Sequence, residues 1–274
     1  MLSVNTNTGA MAALQFLNQT QNELQTTQSH INSGLKVATA KDNGAVYAIA
    51  QNMRGNVAGY AAVSDSLNRG VSTVDVAISA GQSISDLPNE LKGKALAAAD
   101  GSLDTASRNA LNADFTALRD QITTIVQNAS FNGTNLVDGS TANFQALASA
   151  DGTKKITAAG QTLKLSGSIV TVKTTSTIST QSKASTMVST VNASIQNVNA
   201  SLAKLASGSK KFQIQSTFVS KLVDSLNAGI GNLVDADMAV ESAKLQSLQV
   251  KQQLGVQALS IANSAPSITL SLFR

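Results

Sequence analysis

The side chains of this sequence that could do chemistry are few and widely spaced. Its 274 residues contain no cysteine and one histidine, His30, which excludes thiol chemistry, disulfide bonds and most zinc sites. Asp235, Asp237 and Glu241 lie close enough along the chain to suggest a metal cluster. Because they stand at the predicted start of a helix, their expected role is to cap it and to oppose its dipole. With no Gly-rich phosphate loop either, the sequence predicts no catalytic, cofactor-binding or metal site, and no enzyme.

The composition argues against two classes of binding protein. The net charge is +4, only 13% of the residues are charged and aromatic residues make up 3%. A nucleic-acid groove needs a denser basic stripe with stacking aromatics. A membrane-active helix needs lysine-rich polar faces and aromatic anchors, and no apolar run approaches the roughly 18 residues of a membrane span. We therefore expect neither nucleic acid nor a membrane as a partner.

Long helices with heptad spacing are the elements that would position these residues. Between residues 10 and 35, seam residues recur in steps of three and four, which predicts a coiled coil with Gln21 and Gln28 in core positions. A second helix is predicted from about 57 to 99, with a slip of phase near Pro88. Proline inside a helix removes a hydrogen bond and crowds the preceding turn at a cost of about 3 kcal/mol. We therefore expect a kink or break near residues 84–88.

The middle of the chain is predicted to interrupt the helical pattern. A third helix, capped by Asp104 or Thr105, should stop at an Asn132-Gly133 turn. Residues 162–165 and 169–173 then alternate between apolar and polar side chains, as strands do.

Helical spacing returns near residue 184 and continues past Gly208, and a last helix is expected over about 236–262. The predicted fold is therefore mainly α: a long coiled-coil helical rod with paired N- and C-terminal helices and a small β-hairpin region.

Both ends of the chain carry little charge for an exposed surface. Between Met1 and Leu35 the one formal charge besides His30 is Glu23. Isolated helices are marginal in water, so we expect the ends to be largely disordered until neighbouring copies cover them. The residues predicted to form this self-assembly seam are Leu14, Leu17, Leu24, Ile31, Leu35, Leu245, Leu248, Val256, Leu259, Leu270, Leu272 and Phe273.

An ordered set of motifs at the two ends resembles the bacterial flagellin family, in the short form of alphaproteobacterial flagellins. The N-terminal motifs are Asn5-Thr6-Asn7, Ser33-Gly34-Leu35-Lys36 and Ala40-Lys41-Asp42-Asn43-Gly44-Ala45. The C-terminal motifs are Asp235-Ala236-Asp237-Met238-Ala239-Val240-Glu241, Gln252-Gln253-Leu254-Gly255 and Leu270-Ser271-Leu272-Phe273-Arg274. Each motif is weak alone, whereas the ordered set is specific.

The resemblance implies an exported structural subunit of the extracellular flagellar filament used for swimming. Residues 1–41 and 234–274 would form the inner terminal coiled coil that lines the filament channel. Residues 42–233 would form the helical-rod domain, with a β-hairpin near 137–183, and the outer domains of longer flagellins are expected to be absent. The implied partners are many copies of itself, other flagellins, flagellar cap and hook-associated proteins, and an export chaperone. A hook–filament junction protein shares the terminal pattern and is the alternative.

Two further features carry expectations. Pro88 is unusual in this helix of the family and is a candidate determinant of filament shape. Serine and threonine are dense from residue 166 to 190, and exposed positions of this kind are candidates for O-glycosylation. The candidate residues are Ser168, Thr171, Thr174, Thr175, Ser176, Thr177 and Ser179.

Overall fold

A computed structural model describes the backbone of residues 6–271 and the side chains of residues 6–264. Its elements are α1 (Thr8–Ser33), α2 (Gly44–Ala98), α3 (Thr105–Asn128), β1 (Ser130–Phe131), β2 (Thr134–Asn135), β3 (Asn143–Leu147), β4 (Lys155–Ala159), α4 (Gln181–Val234) and α5 (Met238–Ser271). The prediction of a mainly helical chain with a small β-hairpin region is confirmed. Among the described helices, none combines the length and apolarity needed to cross a membrane.

The chain divides into two compact units. The terminal unit contains residues 1–55 and 225–274, so it brings the two ends of the chain together. The middle unit contains residues 56–224.

Local capping chemistry explains where the helices begin and end. The side chain of Asn7 accepts a hydrogen bond from the amide of Ala10 at 3.0 Å at the start of α1. Gly34 ends α1 with φ 71°, and its N–H donates to the carbonyl of His30 at 2.8 Å. This left-handed cap strains any residue with a β-carbon, which accounts for glycine here. Asp104 accepts from the amide of Ser107 at 2.9 Å and caps α3, as predicted.

Of the predicted kink or break near residues 84–88, the break is wrong, because α2 runs without interruption through Pro88, and the kink stays a prediction. Two observations account for the uninterrupted helix. Pro88 is buried, and its neighbours on the same face, Ile84 and Leu91, are fully buried, so packing holds both sides of the proline. In addition, Asn89 Nδ2 donates to the carbonyl of Ser85 at 3.2 Å, which supplies a donor in the turn that proline perturbs.

Two antiparallel strand pairs follow α3. Strands β1 and β2 join through Asn132 (φ 48°) and Gly133 (φ 76°), the positive-φ turn that this dipeptide predicts. Strands β3 and β4 form a longer hairpin in which Asn143 pairs with Ala159 and Leu147 pairs with Lys155.

The strands predicted at 162–165 and 169–173 are absent from the described structure, where both segments are irregular. Leu163, Leu165, Val170 and Val172 are buried, so their alternation reflects an extended loop lying on the core. Isolated hydrogen bonds fasten this loop, such as the one from the amide of Leu163 to the carbonyl of Val137 at 2.7 Å. The alternation indicates which side chains point towards the core. A β-strand also needs a hydrogen-bonded partner strand, which the alternation does not predict.

Close packing through small residues organises the core of the middle unit. The rings of Phe144 and Phe212 meet edge to face, with centroids 6.1 Å apart. Gly70 lies beneath them, and a β-carbon added there would approach both rings to within 3.1–3.2 Å. Glycine in α2 therefore lets a residue of α4 and a residue of the hairpin reach the same point of the core.

Phe212→Ala should lower the free energy of unfolding of the middle unit by about 3–5 kcal/mol, since it empties a fully buried aromatic site. Phe218→Ala is the matched control, because Phe218 lies on the same helix and is 55% exposed; its effect should stay within about 0.5 kcal/mol. Urea unfolding of the unassembled chain measures both changes. Equal losses in the two variants would contradict this description of the core.

Candidate functional site: the paired terminal helices

Helices α1 and α5 pair antiparallel within the terminal unit, and three contacts fix their alignment. At one end, Asn7 Nδ2 donates to the carbonyl of Ala262 at 2.7 Å. In the middle, a β-carbon added at Gly255 would lie 3.3 Å from Leu17 Cδ1, so the helices approach closely there. At the other end, His30 Nδ1 lies 3.0 Å from Glu241 Oε1. The two ends of the chain are therefore paired in a single copy, as predicted.

The inner face of α5 follows the heptad rule. Its less exposed positions step by four and three, and they are Glu241, Leu245, Leu248, Gln252, Gly255, Leu259 and Ala262. Val256, which was predicted as a seam residue, lies beside this face and is exposed. The seam of α5 is thus built from small, polar and apolar residues together.

The inner face of α1 differs from the predicted seam at every second position. The less exposed positions include Ala10, Ala13, Leu17, Thr20, Leu24, Thr27, Ile31 and Gly34. Gln21 and Gln28, predicted in core positions, are exposed, and so is Leu14. The smaller residue one position earlier faces inward instead. Small side chains let the helix axes approach, and the polar glutamine amides keep their contact with water.

The predicted seam residues whose side chains are described therefore fall into three groups. Leu17 and Leu248 are buried. Leu14 and Val256 are exposed, and the half-buried members are Leu24, Ile31, Leu35, Leu245 and Leu259. Leu270, Leu272 and Phe273 lie outside the residues whose side chains are described.

A short backbone pairing closes the other end of the terminal unit. The amide of Lys36 donates to the carbonyl of Val234 at 2.7 Å, and the amide of Ala236 donates to the carbonyl of Gly34 at 2.9 Å. Leu35 and Asp235 form an isolated antiparallel bridge between these bonds. Sequence reasoning missed this pairing, and the available signal was that both segments interrupt a heptad pattern.

The carboxylates of this unit act in caps and pairs. Asp237 accepts from the amides of Ala239 and Val240 at 3.0 and 3.2 Å, which is the predicted capping role. Asp42 accepts from the amides of Thr39 and Ala38 at 2.8 and 3.0 Å and so closes the turn between α1 and α2. The hydrogen bond from the Thr39 amide is the chief cause that lowers the pKa of the Asp42 carboxyl. Within the described residues, no three potential metal ligands cluster.

Large exposed apolar side chains concentrate in the terminal unit. Phe16 is 69% exposed and Ile261 is 70% exposed. The further members in this unit are Met11, Leu14, Ile49, Met238, Val240, Val250, Leu254 and Val256. An open cavity of about 380 Å³, lined in part by Phe16, Leu17, Leu254 and Gly255, lies along α1 and α5. Exposed apolar side chains gathered on one pair of helices are typical of a surface that another protein covers.

The candidate glycosylation residues lie in the loop before α4 and differ in accessibility. Ser168, Thr174 and Thr175 are exposed. Thr171 is held inward, since its hydroxyl lies 2.9 Å from the Ser194 hydroxyl. Ser176, Thr177 and Ser179 are half-buried.

Comparison with known proteins assigns the family. Residues 4–142 match the family described as the bacterial flagellin N-terminal helical region, and residues 188–273 match the bacterial flagellin C-terminal helical region. The chain is 54% identical to flagellin FljK and 56% identical to flagellin FljN of Caulobacter vibrioides, each alignment covering 99% of this chain and 98% of the relative. A flagellin of Brucella melitensis is 35% identical over the full length of both chains.

Among solved structures, a crystal structure of Bacillus cereus flagellin aligns with 65% of this chain and 92% of that chain, at 18% identity and a TM-score of 0.43. On the family matches and the full-length relatives, the chain belongs to the bacterial flagellin family. It is a structural subunit of the extracellular flagellar filament.

Gly255→Leu should separate α1 from α5, because the added side chain meets Leu17 where the two helices approach closely. Overpacking of this kind costs about 1–3 kcal/mol. Gly93→Leu is the control, since Gly93 is a helical glycine with open space around its added β-carbon. Polymerisation from purified monomer should fail or slow with the first variant and proceed with the second. Normal polymerisation of the Gly255 variant would contradict the assigned contact.

Proposed function

We propose that the outward faces of α1 and α5 are the surfaces through which copies of this chain assemble. The supporting observation is the concentration of exposed apolar residues, among them Met11, Phe16, Leu254 and Ile261, on the helices that also carry the family motifs. The inner faces pair within one chain, so the outward faces remain for neighbours. A head-to-tail contact that does not close on itself builds a helical polymer.

The energetic argument for this assignment rests on the apolar surface area that assembly buries. Burial of apolar surface contributes about 25 cal/mol per Å², and a fully buried Phe or Leu side chain about 1.5–3 kcal/mol. Several such side chains per copy give each interface a strong apolar contribution, and every copy in a filament repeats it. The predicted seam residues Leu14 and Val256 belong to this outward set, whereas Leu17 and Leu248 hold the two helices of one chain together.

The finer assignments of domain and partner complete the proposal. Residues 1–41 and 234–274 form the channel-lining coiled coil of the filament, and residues 42–233 form the rod domain outside it. The terminal helices are held unfolded by an export chaperone before secretion and order when they assemble. The cap, the hook-associated proteins and other flagellins of the same filament meet the same terminal faces. The alternative, a hook–filament junction protein, draws no support from relatives that are named flagellins over their whole length.

O-glycosylation, where it occurs, is proposed at Ser168, Thr174 and Thr175. These hydroxyls are the exposed members of the predicted set. Thr171 is a poor acceptor, because its hydroxyl is engaged with Ser194 and with the carbonyl of Thr190.

Phe16→Ser should raise the critical concentration for polymerisation about tenfold or more, because it removes a side chain that the filament buries. Gln21→Ser is the matched control, since Gln21 is an exposed polar residue of the same helix and its effect should be small. Sedimentation of filaments formed from purified monomer measures both values. If the Phe16→Ser variant polymerised at the wild-type critical concentration, Phe16 would not be part of the interface.

Pro88→Leu tests the proposed link between this residue and filament shape. Leucine restores the backbone donor that proline lacks and keeps an apolar side chain at a buried position. We expect a changed helical pitch or diameter in electron micrographs of the reassembled filaments. Gly93→Ala is the control, because it also favours the helical state of α2 but lies at an exposed position. An unchanged filament form in the Pro88 variant would reject the link.

A further inference from the structure

The interface between α1 and α5 contains a largely buried polar pair. His30 Nδ1 lies 3.0 Å from Glu241 Oε1, and the two side chains are only 15% and 14% exposed. Because a carboxylate only accepts hydrogen bonds, His30 carries the proton on Nδ1 in this contact. Glu241 occupies an inner heptad position of α5, and His30 stands beside Ile31 on the inner face of α1. The pair is therefore part of the seam itself.

Two unsatisfied polar atoms make this part of the seam sensitive to alignment. Glu241 Oε2 and Thr27 Oγ1 are buried and have no hydrogen-bond partner among the described residues. A slip of one heptad would take Glu241 away from His30 and leave the carboxylate buried without its donor. Apolar seams of leucine and small residues tolerate such slips, whereas a polar pair favours one alignment.

A second carboxylate faces the same imidazole. His30 and Asp42 line one polar cleft together with side chains of α1, including Asn22 and Ser29. After the Thr39 hydrogen bonds, the charge of His30 is a further cause that lowers the pKa of the Asp42 carboxyl. The charged groups that face His30 are thus Glu241 from α5 and Asp42 from the turn after α1. On α1 itself, the carboxylate of Glu23 accepts from Gln19 at 3.0 Å.

We infer that the buried contact between His30 and Glu241 is required for the axial register of α1 on α5, and that this register aligns the outward faces that neighbouring copies meet. The inference rests on the proposed function, because it assigns a role to the helix pair that the filament requires.

The first test is the critical concentration for polymerisation of the full chain. Glu241→Ala removes the hydrogen-bond partner of His30 and should raise the critical concentration about three- to tenfold. Glu241→Gln keeps an acceptor for the imidazole and should stay closer to the wild-type value.

The outcomes separate the two proposals. A critical concentration of Glu241→Ala equal to that of the wild-type chain would contradict the inference. Failure of the wild-type chain to polymerise would instead contradict the proposed function.

The second test reads the register directly. A β-carbon at position 255 would lie 3.9 Å from Leu17 Cβ, a separation that suits a disulfide, and the chain has no other cysteine. L17C/G255C should therefore cross-link in filaments under mild oxidation, whereas L17C/A262C, displaced by one heptad, should not. Adding His30→Ala should lower the cross-linking yield of L17C/G255C and raise that of L17C/A262C. Adding His30→Arg instead should leave both yields as they are with His30. Identical yields with and without His30→Ala would show that the pair does not set the register.

Discussion

The structure depends on a constraint of geometry: two helices that pair along one seam cannot cover the apolar residues on their outward faces. Between α1 and α5 the seam buries Leu17 and Leu248 and brings Gly255 against Leu17. Phe16 and Leu254, on the same helices, remain in contact with solvent. A single chain therefore covers part of its terminal apolar surface and leaves the rest exposed. In the proposed assembly, every added copy covers such surface on its neighbour and presents the same surface again, which builds a filament.

The middle unit follows a different rule and is largely self-contained. Its core holds fully buried side chains such as Phe115, Ile122 and Phe212, and its glycines let helices and hairpin approach closely. These buried residues form a hydrophobic core within the middle unit.

Sequence periodicity predicted the helices, most of their ends and the pairing of the termini, because heptad spacing and caps act locally. It placed the start of α2 near residue 57 and the end of α5 near residue 262, whereas α2 begins at Gly44 and α5 ends at Ser271. It misplaced alternate seam positions of α1 by one residue. The pattern favours the larger side chains, Leu14 and Gln21, whereas close helix approach favours the smaller Ala13 and Thr20. The size of the side chain on the partner helix decides which residue of α1 faces inward. The local sequence of α1 does not show which residue of α5 lies opposite.

The other differences have the same origin in tertiary context. Pro88 breaks an isolated helix, but buried neighbours and the Asn89 side chain hold α2 together. The polar pair of His30 and Glu241 joins residues more than 200 positions apart, which no local pattern reveals.

Hydrogen–deuterium exchange of monomer and filament, compared peptide by peptide, tests the central claim most directly. The account predicts that residues 8–33 and 238–264 exchange faster in the monomer than in the filament, while core peptides of residues 56–224 are equally protected in both. Equal protection of the terminal helices in the two states, or protection gained mainly in the middle unit, would contradict it.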